Sequence, residues 1–116
     1  MKKKTFLIDI DNTICKTVGN NYKNSKPYKN KILLINKLYN KGHIIKFFTS
    51  RFMGRSNEKI SKAKKRGFRF TEKQLKSWNC KFHILILGKP SHDISIDDKS
   101  LNYNKDWNKK IEKKYL

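Results

Sequence analysis

The feature that most constrains the fold is a short apolar run that ends in two acids. Phe6, Leu7 and Ile8 can form a buried strand, but Asp9 interrupts the run and Asp11 follows two places later. A carboxylate needs water or a charged partner, so the strand has to end where these side chains reach an edge of the molecule. The pattern predicts a buried strand that presents two carboxylates at its end.

Three later apolar blocks predict further strands. They are His43–Phe48, Phe82–Leu87 and the short run DISI, residues 93–96. Strands that are joined by helical crossovers and are apolar on both faces favour a parallel sheet covered on two sides. The 116 residues are therefore predicted to form one α/β domain, residues 1–116, a Rossmann-like three-layer sandwich around a mostly parallel central sheet.

Helix signals lie between and after these blocks. Pro27 is expected to open a first helix that Gly42 stops, and the charged segment SNEKISKAKKRG is expected to form a second helix that stops at Gly67. Thr71 and Gln74 stand at capping-box spacing and predict a separate helix there. The tail predicts a last helix docked on the sheet, because apolar residues recur every four positions, at Trp107, Ile111 and Tyr115.

The net charge of +20 leaves two interpretations open. It can attract polyanions such as nucleic acid. It can also reflect a codon bias that favours Lys, since Lys accounts for 25 of the 29 basic residues and is spread along the whole chain. Under either interpretation the charge favours anionic substrates.

Cysteine usage and the N-terminus predict a cytoplasmic protein. Cys15 and Cys80 lie far apart and form no CxxC pair, which favours reduced thiols over a disulfide framework. The apolar run near the N-terminus is short and contains acids, unlike a signal peptide. No window approaches the roughly 18 apolar residues of a membrane span, so no membrane partner is predicted.

Polar side chains follow the predicted strands at the end where a parallel sheet binds ligands. Carboxylates that crowd together repel one another unless a cation lies among them, and oxygen ligands suit Mg²⁺. A Lys and a Thr hydroxyl beside such a cation suit a phosphoryl group. The residues predicted to meet there are Asp9, Asp11, Thr49, Lys89, Asp97 and Asp98.

Four segments carry a family resemblance. FLIDIDNT, FFTSR, GKPSHD and ISIDD resemble, in order, the signatures of the haloacid dehalogenase (HAD) superfamily of phosphohydrolases, over about residues 5–100. The DxDxT signature is the most specific of the four. The chain is most similar to small bacterial HAD phosphatases of capsule biosynthesis. The resemblance implies a Mg²⁺-dependent phosphomonoesterase that acts on a sugar phosphate or a similar metabolite.

The resemblance also implies roles for the acids. Asp9 would be the nucleophile that forms an aspartyl-phosphate. Asp11 would protonate the leaving oxygen and then deprotonate the attacking water, and its backbone carbonyl would ligate the metal. Asp9 and one acid of the Asp97–Asp98 pair would complete the metal ligands, with Asp97 favoured as the direct ligand.

The remaining predicted site residues would hold the substrate. Thr49 would hydrogen-bond a phosphoryl oxygen, and Lys89 would pair with both the nucleophile and the phosphoryl group. Arg51 can bind phosphate in a bidentate manner, which Lys cannot, and is predicted to contact substrate. Ser50 and Asn12 are predicted to contact substrate with it.

The short gap between Ile14 and Lys26 fits only a loop or small hairpin, so the chain is predicted to lack a cap domain. An open site would accept large substrates or be covered by another subunit, which makes a homo-oligomer an expectation. Two other functions stay open: a polynucleotide end phosphatase, and a non-enzymatic nucleic-acid-binding module on a HAD scaffold. A receiver domain is disfavoured, because its phosphorylated Asp ends the third strand, where this chain has Leu87 and Gly88.

Overall fold

A computed structural model of the chain describes residues 2–116. Five strands and three helices follow one another along the chain: β1 (Thr5–Ile8), β2 (Cys15–Lys16), β3 (Lys26–Pro27), α1 (Lys29–Asn40), β4 (Ile44–Thr49), α2 (Ile60–Ser77), β5 (Ile84–Leu87) and α3 (Trp107–Tyr115). The strands β1, β4 and β5 form a parallel sheet in that order. The strands β2 and β3 form a separate antiparallel pair.

The two faces of the parallel sheet differ in exposure. The register pairs Ile8 with Phe47 and Phe47 with Leu85, so these three buried side chains share one face. All three helices contribute side chains to the core that covers this face. The opposite face carries Leu7 and Ile84, which are 60% and 43% exposed. Residues 2–116 thus form an α/β fold in which the helices cover one face; the predicted second covered face is not seen.

Three predicted strands and the first helix are confirmed, but the start of that helix was predicted wrongly. Pro27 lies in β3 and pairs with Cys15. The backbone N–H of Tyr28 donates to the carbonyl of Ile14 at 2.9 Å, which keeps the chain extended until α1 begins at Lys29. The loop 17–25 between β2 and β3 is short, and no cap domain is inserted within residues 2–116.

The prediction of two helices separated at Gly67 was wrong, because α2 continues through this glycine. A Cβ atom at Gly67 would lie 2.1 Å from Cδ2 of Phe52, so the glycine is needed for the helix to pack against this ring. Thr71 was predicted to cap a new helix, but it is fully buried within α2. Close packing, and not a helix stop, explains the glycine.

The predicted fourth strand, residues 93–96, does not form. Ile94 and Ile96 are 80% and 93% exposed, and every residue from Pro90 to Asp106 is exposed. The physical reason is the short connection: only five residues, Gly88 to His92, separate this segment from β5. A parallel neighbour in the same sheet requires a crossover of a dozen residues or more.

The predicted C-terminal helix is confirmed as α3. Trp107 is 7% exposed, and its Nε1 donates to the carbonyl of Thr13 at 3.3 Å. The Tyr115 ring contacts Phe6 edge to face, with centroids 5.1 Å apart. Cys15 and Cys80 are both free and buried. In the described part of the chain no helix combines the length and the apolar character that a membrane span requires.

Candidate active site

The carboxyl ends of the three parallel strands bring together residues that are far apart in sequence. Asp9 follows β1, Thr49 ends β4, and Lys89 comes two residues after β5. The backbone N–H of Lys89 donates to the carbonyl of Thr49 at 3.2 Å, which holds the lysine beside the end of β4. The Lys89 Nζ lies 3.8 Å from Oδ1 of Asp9. Three of the predicted catalytic residues therefore meet at one edge of the sheet.

Asp9 lies in a partly dry environment beside a cation. Burial raises the pKa of the Asp9 carboxyl above its usual value, and the nearby charge of Lys89 opposes that rise. The Oγ1 of Thr13 donates to Oδ2 of Asp9 at 3.4 Å. Lys89 and Thr13 thus each contact a different oxygen of the Asp9 carboxylate.

Asp11 is held by a buried arginine. The Nε of Arg51 donates to Oδ2 and Oδ1 of Asp11 at 2.9 and 3.1 Å, and Nη2 donates to Oδ1 at 2.8 Å. The Arg51 side chain is completely buried, whereas that of Asp11 keeps 21% exposure. The Oγ1 of Thr17 also donates to Oδ1 of Asp11, at 2.6 Å. The second acid is therefore fixed in position while part of it still faces solvent.

The residues that position Arg51 were not among the predicted site residues. Its Nη1 donates to Oε1 of Gln74 at 2.6 Å, and its Nη2 donates to Oγ of Ser25 at 3.4 Å. The Nε2 of Gln74 donates in turn to the carbonyl of Tyr22 at 2.7 Å, which ties α2 to the loop 17–25. No local pattern identifies these partners, since a glutamine in a charged helix and a serine in a loop are ordinary surface residues.

Arg51 was predicted to contact substrate, and the structure places it beneath Asp11, 1% exposed. Thr49 is equally buried, and its Oγ1 accepts the backbone N–H of Arg51 at 3.1 Å. Asn12 has a φ of 61°, and its Oδ1 accepts the backbone N–H of Thr17 at 3.1 Å. Ser50 is half-buried, and its carbonyl accepts a backbone N–H in the next turn. Thr49, Ser50 and Arg51 therefore lie at the end of β4 or directly after it, and Asn12 lies in the turn after β1.

Asp97 and Asp98 do not join Asp9 and Asp11. Both lie in the exposed segment after β5. The Oδ1 of Asp97 accepts the backbone N–H of Lys99 at 2.9 Å, which lowers the pKa of this carboxyl. Among residues 2–116 no group of three or more His, Cys, Asp or Glu side chains could hold a metal ion. The expected meeting of four acids does not occur within one chain.

The oxygen donors at the strand ends are of the kind that Mg²⁺ prefers. Carboxylate and carbonyl oxygens are the ligands this ion prefers, and Asp9 and Asp11 supply them. The carboxylate of Asp11 is occupied by Arg51 and Thr17, which leaves the Asp9 carboxylate and the backbone carbonyl of Asp11 as the residues that would hold the ion. Among residues 2–116, the strand ends thus offer one carboxylate and one carbonyl oxygen to such an ion.

Comparison with known proteins supports the fold alone. The chain matches no family model, and no curated protein matches it in sequence. It is similar to the crystal structure of an MCSG target from Vibrio cholerae, with 20% sequence identity and a TM-score of 0.78. The similarity covers 97% of this chain and 99% of the other. The whole described architecture is therefore shared with a solved structure.

Proposed function

We propose that the protein is a Mg²⁺-dependent phosphomonoesterase that forms an aspartyl-phosphate on Asp9. The observation that carries the proposal is the arrangement around this residue: Lys89 lies 3.8 Å from one carboxylate oxygen, and Asp11 is held two residues away by Arg51. A carboxylate beside a cation, followed by a second and fixed carboxyl group, suits nucleophilic attack on phosphorus with proton transfer to the leaving oxygen.

The first step makes one bond and breaks another. An oxygen of the Asp9 carboxylate attacks the phosphorus of a phosphate monoester, and the bond between phosphorus and the ester oxygen breaks. Asp11 takes up a proton from solvent as the substrate binds and passes it to the departing oxygen, which leaves as an alcohol; Asp11 is then again the carboxylate that Arg51 holds. Lys89, which already contacts Asp9, neutralises the charge on the phosphoryl oxygens.

The second step returns the enzyme to its starting state. Asp11, now a carboxylate, takes a proton from a water molecule that attacks the phosphorus of the aspartyl-phosphate. The bond between Asp9 and phosphorus breaks, and inorganic phosphate leaves. Arg51 acts through Asp11: its bidentate contact restricts the carboxyl group to one orientation, so that the proton is transferred along the same direction in both steps.

Bound Mg²⁺ would supply charge neutralisation between the carboxylates and the phosphoryl oxygens. The Asp9 carboxylate and the Asp11 carbonyl would hold it. The proposal also assigns the chain to the HAD superfamily, and the four matching segments and the parallel order of β1, β4 and β5 support this assignment. A three-layer sandwich would require a further layer on the exposed face that carries Leu7 and Ile84.

The deciding experiment is a phosphate-release screen with and without Mg²⁺. It compares sugar phosphates, nucleotides and 5′- and 3′-phosphorylated oligonucleotides, with Asp9→Asn as the inactive control. Release from a small sugar phosphate that disappears on chelation and in the variant supports the proposal. Unchanged release by Asp9→Asn would exclude a covalent intermediate on this residue.

A second candidate, a polynucleotide end phosphatase, is favoured by the surface of α2. This helix contains a single acid, Glu72. The exposed cations it presents are Lys62, Lys64, Lys65, Arg66, Arg69, Lys73 and Lys76. A row of cations would track a phosphodiester backbone and make binding fall steeply with salt. Faster release from an oligonucleotide than from any sugar phosphate, with a steep salt dependence of KM, would select this candidate.

A further inference from the structure

The exposed segment that carries Asp97 and Asp98 is unusual for a small domain. No helix or strand forms between Pro90 and Asp106, and every residue there is exposed. Loops longer than about 12–15 residues without secondary structure are uncommon in compact domains and are usually functional or disordered. After this segment the chain rejoins the hydrophobic core at Trp107, which is buried. We call residues 90–106 the arm.

The arm has the composition of a strand that has no sheet. Ile94 and Ile96 alternate with polar residues, as in a half-buried strand, yet they are 80% and 93% exposed. Isolated apolar side chains on a surface are normal, but an alternating pair in an extended segment indicates a surface that is meant to be covered.

Within one chain, the arm cannot form a strand that lies parallel to β1 at the outer edge of β1. It starts from β5, and the free edge of β1 lies on the far side of β4. To run parallel to β1, the chain would have to cross three strand spacings of about 4.8 Å each and also return to the amino end of the sheet. Only Gly88 to His92 is available, five residues that span at most about 17 Å. A tight turn would instead make the arm an antiparallel neighbour of β5. Its acids would then lie at the amino ends of the parallel strands, away from Asp9.

The edge and face around β1 are open to receive such a segment. β1 is terminal in the sheet, so its outer edge pairs with no strand in the described part of the chain. Leu7, on the uncovered face of β1, is 60% exposed. A parallel strand with Asp97 beside Asp9 would place Ser95 on this same face, next to Leu7, and its two isoleucines would point to the opposite, covered face. Unpaired strand edges are ready sites for pairing with another chain, and native proteins usually protect them.

Charge favours a second copy of this chain as the partner. The stretch Ser91–Asp98 contains Asp93, Asp97 and Asp98 and no Lys or Arg, in a chain whose net charge is +20. Lys3 and Lys4 directly precede β1 and are exposed. In a strand that runs parallel to β1, Asp93 at its amino end would lie near these two lysines. The two acids at its carboxyl end would lie near Lys89, which is 3.8 Å from Asp9.

We propose that residues 93–98 of one copy add as a parallel strand to the outer edge of β1 of a second copy, in a reciprocal exchange, and that Asp97 or Asp98 thereby completes the site at Asp9 of the partner. This inference rests on the proposed function for the role of the acids, but the exchange itself does not. In a two-fold dimer, the β1 edge of each copy would pair with the arm of the other, because each copy has one arm and one open β1 edge.

Disulfide trapping tests the exchange without any activity measurement. A Leu7→Cys chain and a Ser95→Cys chain are mixed under mild oxidation, and the mixed disulfide is identified by mass. Neighbouring strands lie close enough for a disulfide, so we expect the mixed disulfide to form. Leu33→Cys is the matched control, because Leu33 on α1 is 62% exposed, close to the 60% of Leu7. The native Cys15 and Cys80 are buried.

The outcomes of the trapping experiment are distinct. A mixed disulfide with Leu7→Cys in clear excess over the Leu33→Cys control, together with a dimer by light scattering, supports the exchange. Equal yields with both partners, or a monomer that forms no mixed disulfide, overturns it.

Complementation then tests whether the exchanged acids serve the site. Asp9→Asn and the double variant Asp97→Asn/Asp98→Asn are each expected to be inactive. Mixed in equal amounts, they should recover about one quarter of wild-type activity, because half of the two-fold dimers are mixed and each of these has one intact site. No recovery despite a trapped mixed disulfide rejects the role of the acids in the partner's site. If the wild-type chain releases no phosphate from any substrate, the proposed function fails while the trapping result still decides the exchange.

Discussion

Arg51 donates hydrogen bonds to both carboxylate oxygens of Asp11, at 2.9 Å from Nε to Oδ2 and 2.8 Å from Nη2 to Oδ1. The guanidinium is completely buried, so its charge depends on this one carboxylate for compensation. The same contact links β1 to the chain just after β4. Positioning of the second acid and stability of the sheet edge are therefore coupled through one ion pair.

Replacing this arginine should destabilise the protein and also slow its turnover of substrate. For Arg51→Met we expect a loss of about 3 kcal/mol, at the lower end of the range for a buried pair, because Asp11 keeps 21% exposure. Arg55→Met is the matched control: Arg55 is exposed and lies over the rings of Tyr22 and Phe52, so its loss should be at most about 1 kcal/mol. Urea unfolding of both variants measures the difference, and equal losses would contradict a special role for Arg51.

Asp9→Asn should abolish turnover without weakening the fold. The pKa of Asp9 is raised in the folded state, so the folded state binds more protons than the unfolded state just above pH 3.8. Stability then falls as pH rises through that window, and the penalty is fully present at neutral pH. An uncharged Asn removes this penalty.

We therefore expect Asp9→Asn to be at least as stable as the wild-type protein at pH 7, with the difference vanishing below pH 3.8, where the carboxyl is protonated in both states. Thermal melting across pH 3 to 8 tests the sign. A variant that is less stable at pH 7 would show that the contact with Lys89 outweighs the burial of the carboxylate.

Lys89→Met should move the acid limb of the activity profile to higher pH. The charge of Lys89 lowers the pKa of Asp9, so its removal leaves burial unopposed and the nucleophile becomes protonated at higher pH. Turnover at the optimum should also fall by about 10²–10³, as when one group that stabilises the transition state is lost. A profile of kcat/KM against pH and an NMR titration of the Asp9 carboxyl measure the two effects separately. An unshifted titration would exclude the coupling between Lys89 and Asp9.

Gly67→Ala should destabilise the protein even though alanine favours helices. The added Cβ would lie 2.1 Å from the Phe52 ring, so the ring or α2 must move, at a cost of about 1–3 kcal/mol for overpacking. Gly54→Ala is the control, since nothing lies within 4 Å of its Cβ position. The two midpoints of thermal unfolding should separate clearly. A gain in stability in Gly67→Ala would mean that the ring yields without strain and that helix propensity dominates.

Local sequence patterns predicted some elements well and others badly, for identifiable reasons. The runs that became β1, β4 and β5 were found because buried strands are continuous apolar blocks, and α3 was found because apolar residues recur at helical spacing. Gly67 was read as a helix stop because a glycine in a charged segment looks the same whether it ends a helix or admits a ring such as Phe52. The distinction depends on a residue fifteen positions away, outside any local window.

Sequence patterns also predicted only part of the candidate active site. The placement of Asp9, Thr49 and Lys89 at one edge followed from their positions after strands, since parallel strands end at a common edge. The hold of Arg51 on Asp11, and the support of Arg51 by Gln74, did not follow, because such contacts join loops and helices that no periodicity relates.

The amino-acid order by itself determined the three strands of the parallel sheet, the helices α1 and α3, and which carboxylate ends the first strand, because periodicity and apolar content act over a few residues. The tertiary structure alone decided that Arg51 is buried under Asp11, that one face of the sheet stays exposed, and that Asp97 and Asp98 lie away from Asp9. These outcomes depend on how far a five-residue connection can reach and on which distant side chains share the same space, and no short window of sequence contains that information.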